Sequence, residues 1–143
     1  MNIFEKIFRE LNKAKVDYLV VGGVAVNLYG YVRFTGDLDL LILLNEKNIE
    51  KMDGVMKKLG YQPRLPVTIY DLGNKEKVKE WFNNKNLKAF TFMPPQDNPL
   101  EIDIIIEESL KFDTVAKDKT VKLIEKVRIP VVSIDQLLKM KRK

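Results

Sequence analysis

Arg33-Phe34-Thr35-Gly36-Asp37-Leu38-Asp39-Leu40-Leu41-Ile42-Leu43-Leu44 is the stretch on which the reading of this chain turns. Gly36 punctuates it, and Asp37 to Leu44 reads as a strand. On a strand, residues two apart share a face and lie roughly 6–7 Å apart along the chain. Asp37 and Asp39 therefore project together, while Leu38 and Leu40 turn the other way into a core. Beyond Asp39 the run is apolar on both faces, which marks a buried strand rather than an amphipathic edge. Two adjacent carboxylates at such a place repel each other and lose hydration. A shared cation removes that penalty, and an oxygen-only ligand set suits Mg²⁺. Aspartate at a strand start also caps turns, so the pair alone is compatible with a purely structural role.

Working outward, Glu101-Ile102-Asp103-Ile104-Ile105-Ile106 is a second β-branched strand carrying carboxylates on one face. A third carboxylate completes the kind of site that holds two cations about 3.5–4 Å apart. Asp103 sits deeper in its strand than Glu101 and is the candidate for that role. Glu101 either supports the site or is a solvated edge residue. Upstream, Tyr18 to Val21 is a short β-prone run that ends at Gly22-Gly23, with a short helix expected over Ala25 to Tyr29. Two glycines between a strand and a helix let backbone approach a ligand closely, and the helix start offers N–H groups to a phosphate. The same pair also serves a plain tight turn.

The remaining periodicity completes the architecture. Residues 2–14 and Glu46 to Leu59 show apolar positions at helical spacing, and Asn74 to Asn84 is also read as a helix. Tyr61 to Pro66 reads as a loop, Lys88 to Met93 as a strand, and Val121 to Ile124 with Val127 to Val132 as a hairpin about Glu125-Lys126. Ser133 is placed to cap a final helix opening Ile134-Asp135-Gln136-Leu137. The expected fold is α+β, a small mixed sheet with helices packed on it, forming one domain over residues 1–143.

Composition narrows the chemistry. The 143 residues contain no cysteine and no histidine. Disulfides, thiolate sites, Ser-His-Asp triads and the usual general base are excluded. Chemistry here must run on carboxylates, lysines, arginines, hydroxyls or a bound cation. With 25 Lys and Arg against 20 Asp and Glu the net charge is +5, which mildly favours a polyanionic ligand. No apolar run is long enough to cross a bilayer and the N-terminus lacks a signal-peptide pattern, so no membrane partner and a cytoplasmic location are expected.

Strand, Gly-Gly, short helix, Asp-x-Asp strand and a later single-carboxylate strand resemble the DNA polymerase β-like nucleotidyltransferase superfamily. The local form Gly22-Gly23-Val24-Ala25, Gly30, Arg33, Thr35, Asp37-Leu38-Asp39 is similar to its small prokaryotic branch, which includes the abortive-infection and toxin–antitoxin nucleotidyltransferases. Ser133-Ile134-Asp135-Gln136-Leu137-Leu138-Lys139 resembles the opening of that branch's closing helix. The resemblance implies a nucleotidyltransferase-like fold and transfer of an NMP from an NTP to an acceptor hydroxyl on an RNA 3′ end, a protein or a small molecule. Asp37, Asp39 and Asp103 would hold Mg²⁺ or Mn²⁺. Gly22 and Gly23 would cradle the phosphates, although many members carry Gly-Ser there and so have a hydroxyl this chain lacks. Arg33 and Thr35 would flank the site, Arg33 by a phosphate contact or by a structural bond to backbone. Lys139 would reach the triphosphate or remain a solvated helix lysine. A homo-oligomer or a partner protein is expected. A catalytically silent nucleotide- or RNA-binding module of a toxin–antitoxin-type assembly is the alternative.

Overall fold

The computed structural model describes residues 2–30, 36–84, 88–106 and 110–141. Among them the chain runs α1 (Ile3–Lys13), β1 (Tyr18–Val21), α2 (Gly22–Leu28), β2 (Asp37–Ile42), α3 (Glu46–Lys58), β3 (Gln62–Pro63), a 3₁₀ turn (Ile69–Gly73), α4 (Lys75–Asn84), β4 (Ala89–Met93), β5 (Glu101–Ile105), α5 (Phe112–Ala116), β6 (Thr120–Ile124), β7 (Val127–Val131) and α6 (Ile134–Lys141). The strands form one mixed sheet in the order β3-β4-β5-β2-β1-β7-β6. β2 lies at its centre, antiparallel to β1 and parallel to β5. The mixed α/β architecture expected from sequence is the one observed.

The central strands are held from both sides. All four residues of β1 are buried, and Leu38, Leu40, Leu41 and Ile42 of β2 are buried with them. Helix α1 contributes Ile7, Phe8 and Leu11, and the Phe8 ring stacks on Tyr18 at 6.2 Å between centroids. Asn48, 3% exposed in the first turn of α3, ties the strands to the helices. Its side chain accepts from the Asp17 N–H at 2.8 Å and donates to the carbonyls of Asp17 and Leu43 at 3.0 and 2.8 Å. The start of β1 and the end of β2 are thereby locked to one side chain. A buried amide satisfied this fully stabilises rather than costs.

Three features differ from expectation. Helix α2 begins at Gly22, so the two glycines are its first residues and not a link ahead of it. β2 ends at Ile42; Leu43 still donates its N–H to Asp17, but its carbonyl accepts from the Asn48 side chain as the chain turns towards α3. The short elements β3, α5 and the 3₁₀ turn carry too few residues to register as periodicity. The hairpin is as expected, with Glu125 and Lys126 at φ 47° and 70°. Two consecutive positive φ values make the type I′ turn that matches strand twist, here built without glycine. Ser133 Oγ accepts from the Gln136 N–H at 3.1 Å and caps α6.

Candidate active site

The sheet register brings the acidic residues together. Asp39 of β2 stands opposite Asp103 of β5, and Asp37 opposite Glu101. Paired residues on neighbouring strands share a face, with strands about 4.8 Å apart. One oxygen from each of Asp37, Asp39 and Asp103 lies within 4.8 Å of the others. Leu38, Leu40, Ile102 and Ile104 alternate with them and fill the core beneath, so the carboxylates cannot turn away without disrupting it.

The start of β5 is fixed by a small buried network. Asn98 donates to the Tyr61 hydroxyl at 2.8 Å and accepts from the Leu100 N–H at 2.9 Å, while Tyr61 donates to the Leu100 carbonyl at 2.7 Å. Glu101 follows directly. It is paired with the Arg64 guanidinium rather than left as a bare solvated edge carboxylate.

Electrostatics follow from this crowding. Burial first, then Asp37 and Asp103 beside it, push the Asp39 carboxyl up to about 8. Asp103 is also raised, by burial above all, with Asp37 and Glu101 adding to the effect. Against it, the Thr91 hydroxyl donates to Asp103 Oδ1 at 2.6 Å and holds that oxygen in place. Three half-buried carboxyl groups facing one another therefore keep a proton at neutral pH, because full ionisation would leave the cluster short of positive charge. An oxygen-only cluster of this kind is compatible with a divalent cation.

Gly22 borders the same cluster. Its φ is +68°, and a Cβ built there would lie 2.1 Å from Asp39 Oδ2. Glycine is required twice over, for the backbone conformation and for room beside the carboxylate. Gly23 is half-buried in the same turn. Lys139 is exposed on α6 and makes no ion pair among the described residues. Arg33 and Thr35 lie outside the described residues.

Sequence reasoning missed Thr91 and the pairing of Arg64 with Glu101. Thr91 alternates with the buried Phe90 and Phe92 and so faces opposite to them. That much was legible, but its place beside Asp103 depends on β4 pairing with β5.

Comparisons with known proteins bear on the family and the fold. The model of a family described as nucleotidyl transferase AbiEii toxin, type IV toxin–antitoxin system, matches residues 8–141. No curated protein is a significant match in sequence. Among solved structures, a Thermotoga maritima protein assigned as a nucleotidyltransferase superposes with a TM-score of 0.57 at 16% identity, over 98% of this chain and 83% of its own. The antibiotic-resistance factor ANT(2″)-Ia superposes with a TM-score of 0.56 at 14% identity, over 94% of this chain and 65% of its own. The same factor is also known in complex with adenylyl-2″-tobramycin. At such identities the likeness is one of fold, and this chain spans about two thirds of the resistance factor's length.

Proposed function

The chain belongs to the AbiEii nucleotidyl transferase toxin family, and from that premise we propose that it moves a nucleoside monophosphate from an NTP to an acceptor hydroxyl, with residues 1–143 acting as one catalytic domain. The observation that carries this reading is the three-carboxylate cluster built from two parallel strands. The seven-stranded sheet supplies the whole cluster, which supports a single unit.

Asp37, Asp39 and Asp103 would hold Mg²⁺ or Mn²⁺. When bound, the cation supplies charge neutralisation for the triphosphate and favours the ionised form of an acceptor hydroxyl. The protein's own share is positioning. The core beneath β2 and β5 fixes the three carboxylates, Thr91 orients Asp103, and Gly22 leaves Asp39 the room it needs. Gly22 and Gly23 offer close backbone approach to the phosphates. Arg33, Thr35 and Lys139 are proposed further phosphate contacts. In the reaction a bond forms from the acceptor oxygen to the α-phosphorus as the bond to pyrophosphate breaks. The hydroxyl proton passes to the carboxylate cluster, with Asp103 as our candidate acceptor. Such catalysis rests on alignment and electrostatics, so the absence of histidine is no obstacle.

The test is calorimetric titration with ATP, GTP, CTP and UTP, with and without Mg²⁺, on the native chain and on Asp39→Asn. Mg²⁺-dependent binding that disappears in the variant, with its fold intact, supports the reading. No binding of any NTP under any metal condition overturns it in favour of a silent domain.

A further inference from the structure

The sheet ends at β6, which has β7 on one side and no strand on the other. The two-residue turn at Glu125-Lys126 sets how its backbone is used. Ile124 and Val127 flank the turn as a hydrogen-bonded pair, and the pattern alternates from there. Ile124, Lys122 and Thr120 thus direct their N–H and C=O groups to β7. Val121 and Leu123 direct theirs the other way, out of the sheet. Among the described residues nothing bonds to these four groups. The same two residues carry exposed apolar side chains, Val121 at 50% and Leu123 at 68%. They share a face with Pro130 and the exposed Arg128. Bare ladder groups beside exposed apolar side chains form a template for one more strand.

Charge decides which kind of strand fits. Residues 117–128 hold five cations, Lys117, Lys119, Lys122, Lys126 and Arg128, against Asp118 and Glu125. None of the five is in an ion pair among the described residues. Lys122 lies in the middle of the edge, its ammonium 4.8 Å from the centre of the Tyr29 ring. A second copy is a poor fit to such an edge. In the two-fold pairing that uses all four free groups, Val121 meets the second copy's Leu123, and Lys122 faces the second copy's Lys122. Like charges directly opposite destabilise a strand pair, and edge lysines keep identical sheets apart in this way. The same lysines attract carboxylates. The complementary occupant is an extended segment in which acidic residues alternate with apolar ones.

We propose that the free edge of β6 docks an extended acidic segment of a partner protein, which adds an eighth strand to the seven-stranded sheet through the backbone of Val121 and Leu123. Its apolar side chains lie on Val121 and Leu123, and a carboxylate stands opposite Lys122. β6 is three strands from β2, about 14 Å at the usual spacing, so the docked segment leaves the carboxylate cluster open. The proposal is independent of the nucleotidyltransferase reading.

NMR titration and amide exchange of the full chain at low salt test it with a capped peptide of alternating glutamate and valine, its lysine–valine counterpart, and the acidic peptide N-methylated at every amide. The acidic peptide should give saturable shifts centred on Val121 and Leu123 and slow the exchange of those two amides. The lysine–valine peptide should bind at least about tenfold more weakly, the worth of one charge-assisted hydrogen bond. The N-methylated peptide keeps the charge but loses every ladder donor, and should not bind measurably. Lys122→Glu should reverse the preference between the two charged peptides. Leu123→Pro should abolish binding with the fold kept, because the N–H it removes makes no bond in the free chain. Lys47→Ala, at an exposed cation on α3, should change nothing. No binding of the acidic peptide overturns the proposal. Equal binding of the acidic and N-methylated peptides would reduce the contact to loose charge attraction and overturn it, as would an unchanged preference in Lys122→Glu. Concentration-dependent shifts at Val121 and Leu123 without peptide, with a dimer in sedimentation, would make the occupant a second copy and overturn it too.

Discussion

Replacing Gly22 by alanine probes the tightest contact in the site. Two costs add. At φ +68° a side chain meets the left-handed penalty, about 1–2 kcal/mol. The added Cβ would also lie 2.1 Å from Asp39 Oδ2 and 3.0 Å from its Cγ, so the carboxylate or the turn must shift. Forced overpacking of this kind costs about 1–3 kcal/mol. Gly22→Ala should therefore destabilise the metal-free protein by about 3 kcal/mol in all, a fall in Tm on the order of 10 °C for a domain of this size. The two contributions separate in a double-mutant cycle. In an Asp39→Ala background the carboxylate is gone and only the Cβ of residue 39, at 3.1 Å, stays close, so the same glycine change should cost little more than the backbone penalty, about 2 kcal/mol. Urea denaturation of the four proteins in EDTA measures the difference directly. An equal cost for Gly22→Ala in both backgrounds would refute the argument that this glycine exists to make room for the carboxylate.

Further outcomes follow from the same geometry. Asp39 carries a folded pKa of about 8 against its ordinary 3.8, so between those values the folded protein holds a proton that the unfolded chain has released. Metal-free stability should fall as pH rises from about 4 to about 8 and then level off. Asp39→Asn should remove that contribution and stabilise by on the order of 2 kcal/mol at pH 8 after allowance for solvent screening, with the gain shrinking towards pH 4. Urea midpoints across that range decide it, and a gain independent of pH would count against the cause given. Thr91→Val should cost about 1 kcal/mol and weaken Mn²⁺ binding, because Asp103 loses the hydroxyl that holds its oxygen. Thr91→Ser should restore both, as read by thermal melts and metal titration. Changing Glu125→Asn with Lys126→Gly should raise stability by about 1 kcal/mol, since both positions have positive φ. A lower Tm would contradict the turn assignment.

Much of the fold was legible along the chain. Apolar spacing located α1 and α3, and apolar or β-branched runs located β1, β2 and β5, because such elements repeat their burial pattern often enough to be recognised. Turn chemistry found the β6–β7 hairpin and the cap of α6. The elements that were not legible are short, and tertiary packing rather than propensity holds them. The Tyr61–Asn98 network, for example, joins residues 37 apart and leaves no local trace.

The candidate site divides along the same line. Asp37 and Asp39 were known to share a face from the period of a strand alone, and so were Glu101 and Asp103, since the two-residue repeat is a property of the backbone. Composition had already confined the chemistry to such groups by removing cysteine and histidine. That Asp39 stands opposite Asp103 was decided only when β2 and β5 paired in parallel. So were the elevated Asp39 pKa, the Thr91 bond, the Gly22 contact and the Arg64–Glu101 pair. Each joins segments distant in sequence, and pairing energy between strands depends on which partner is present, not on either strand read by itself.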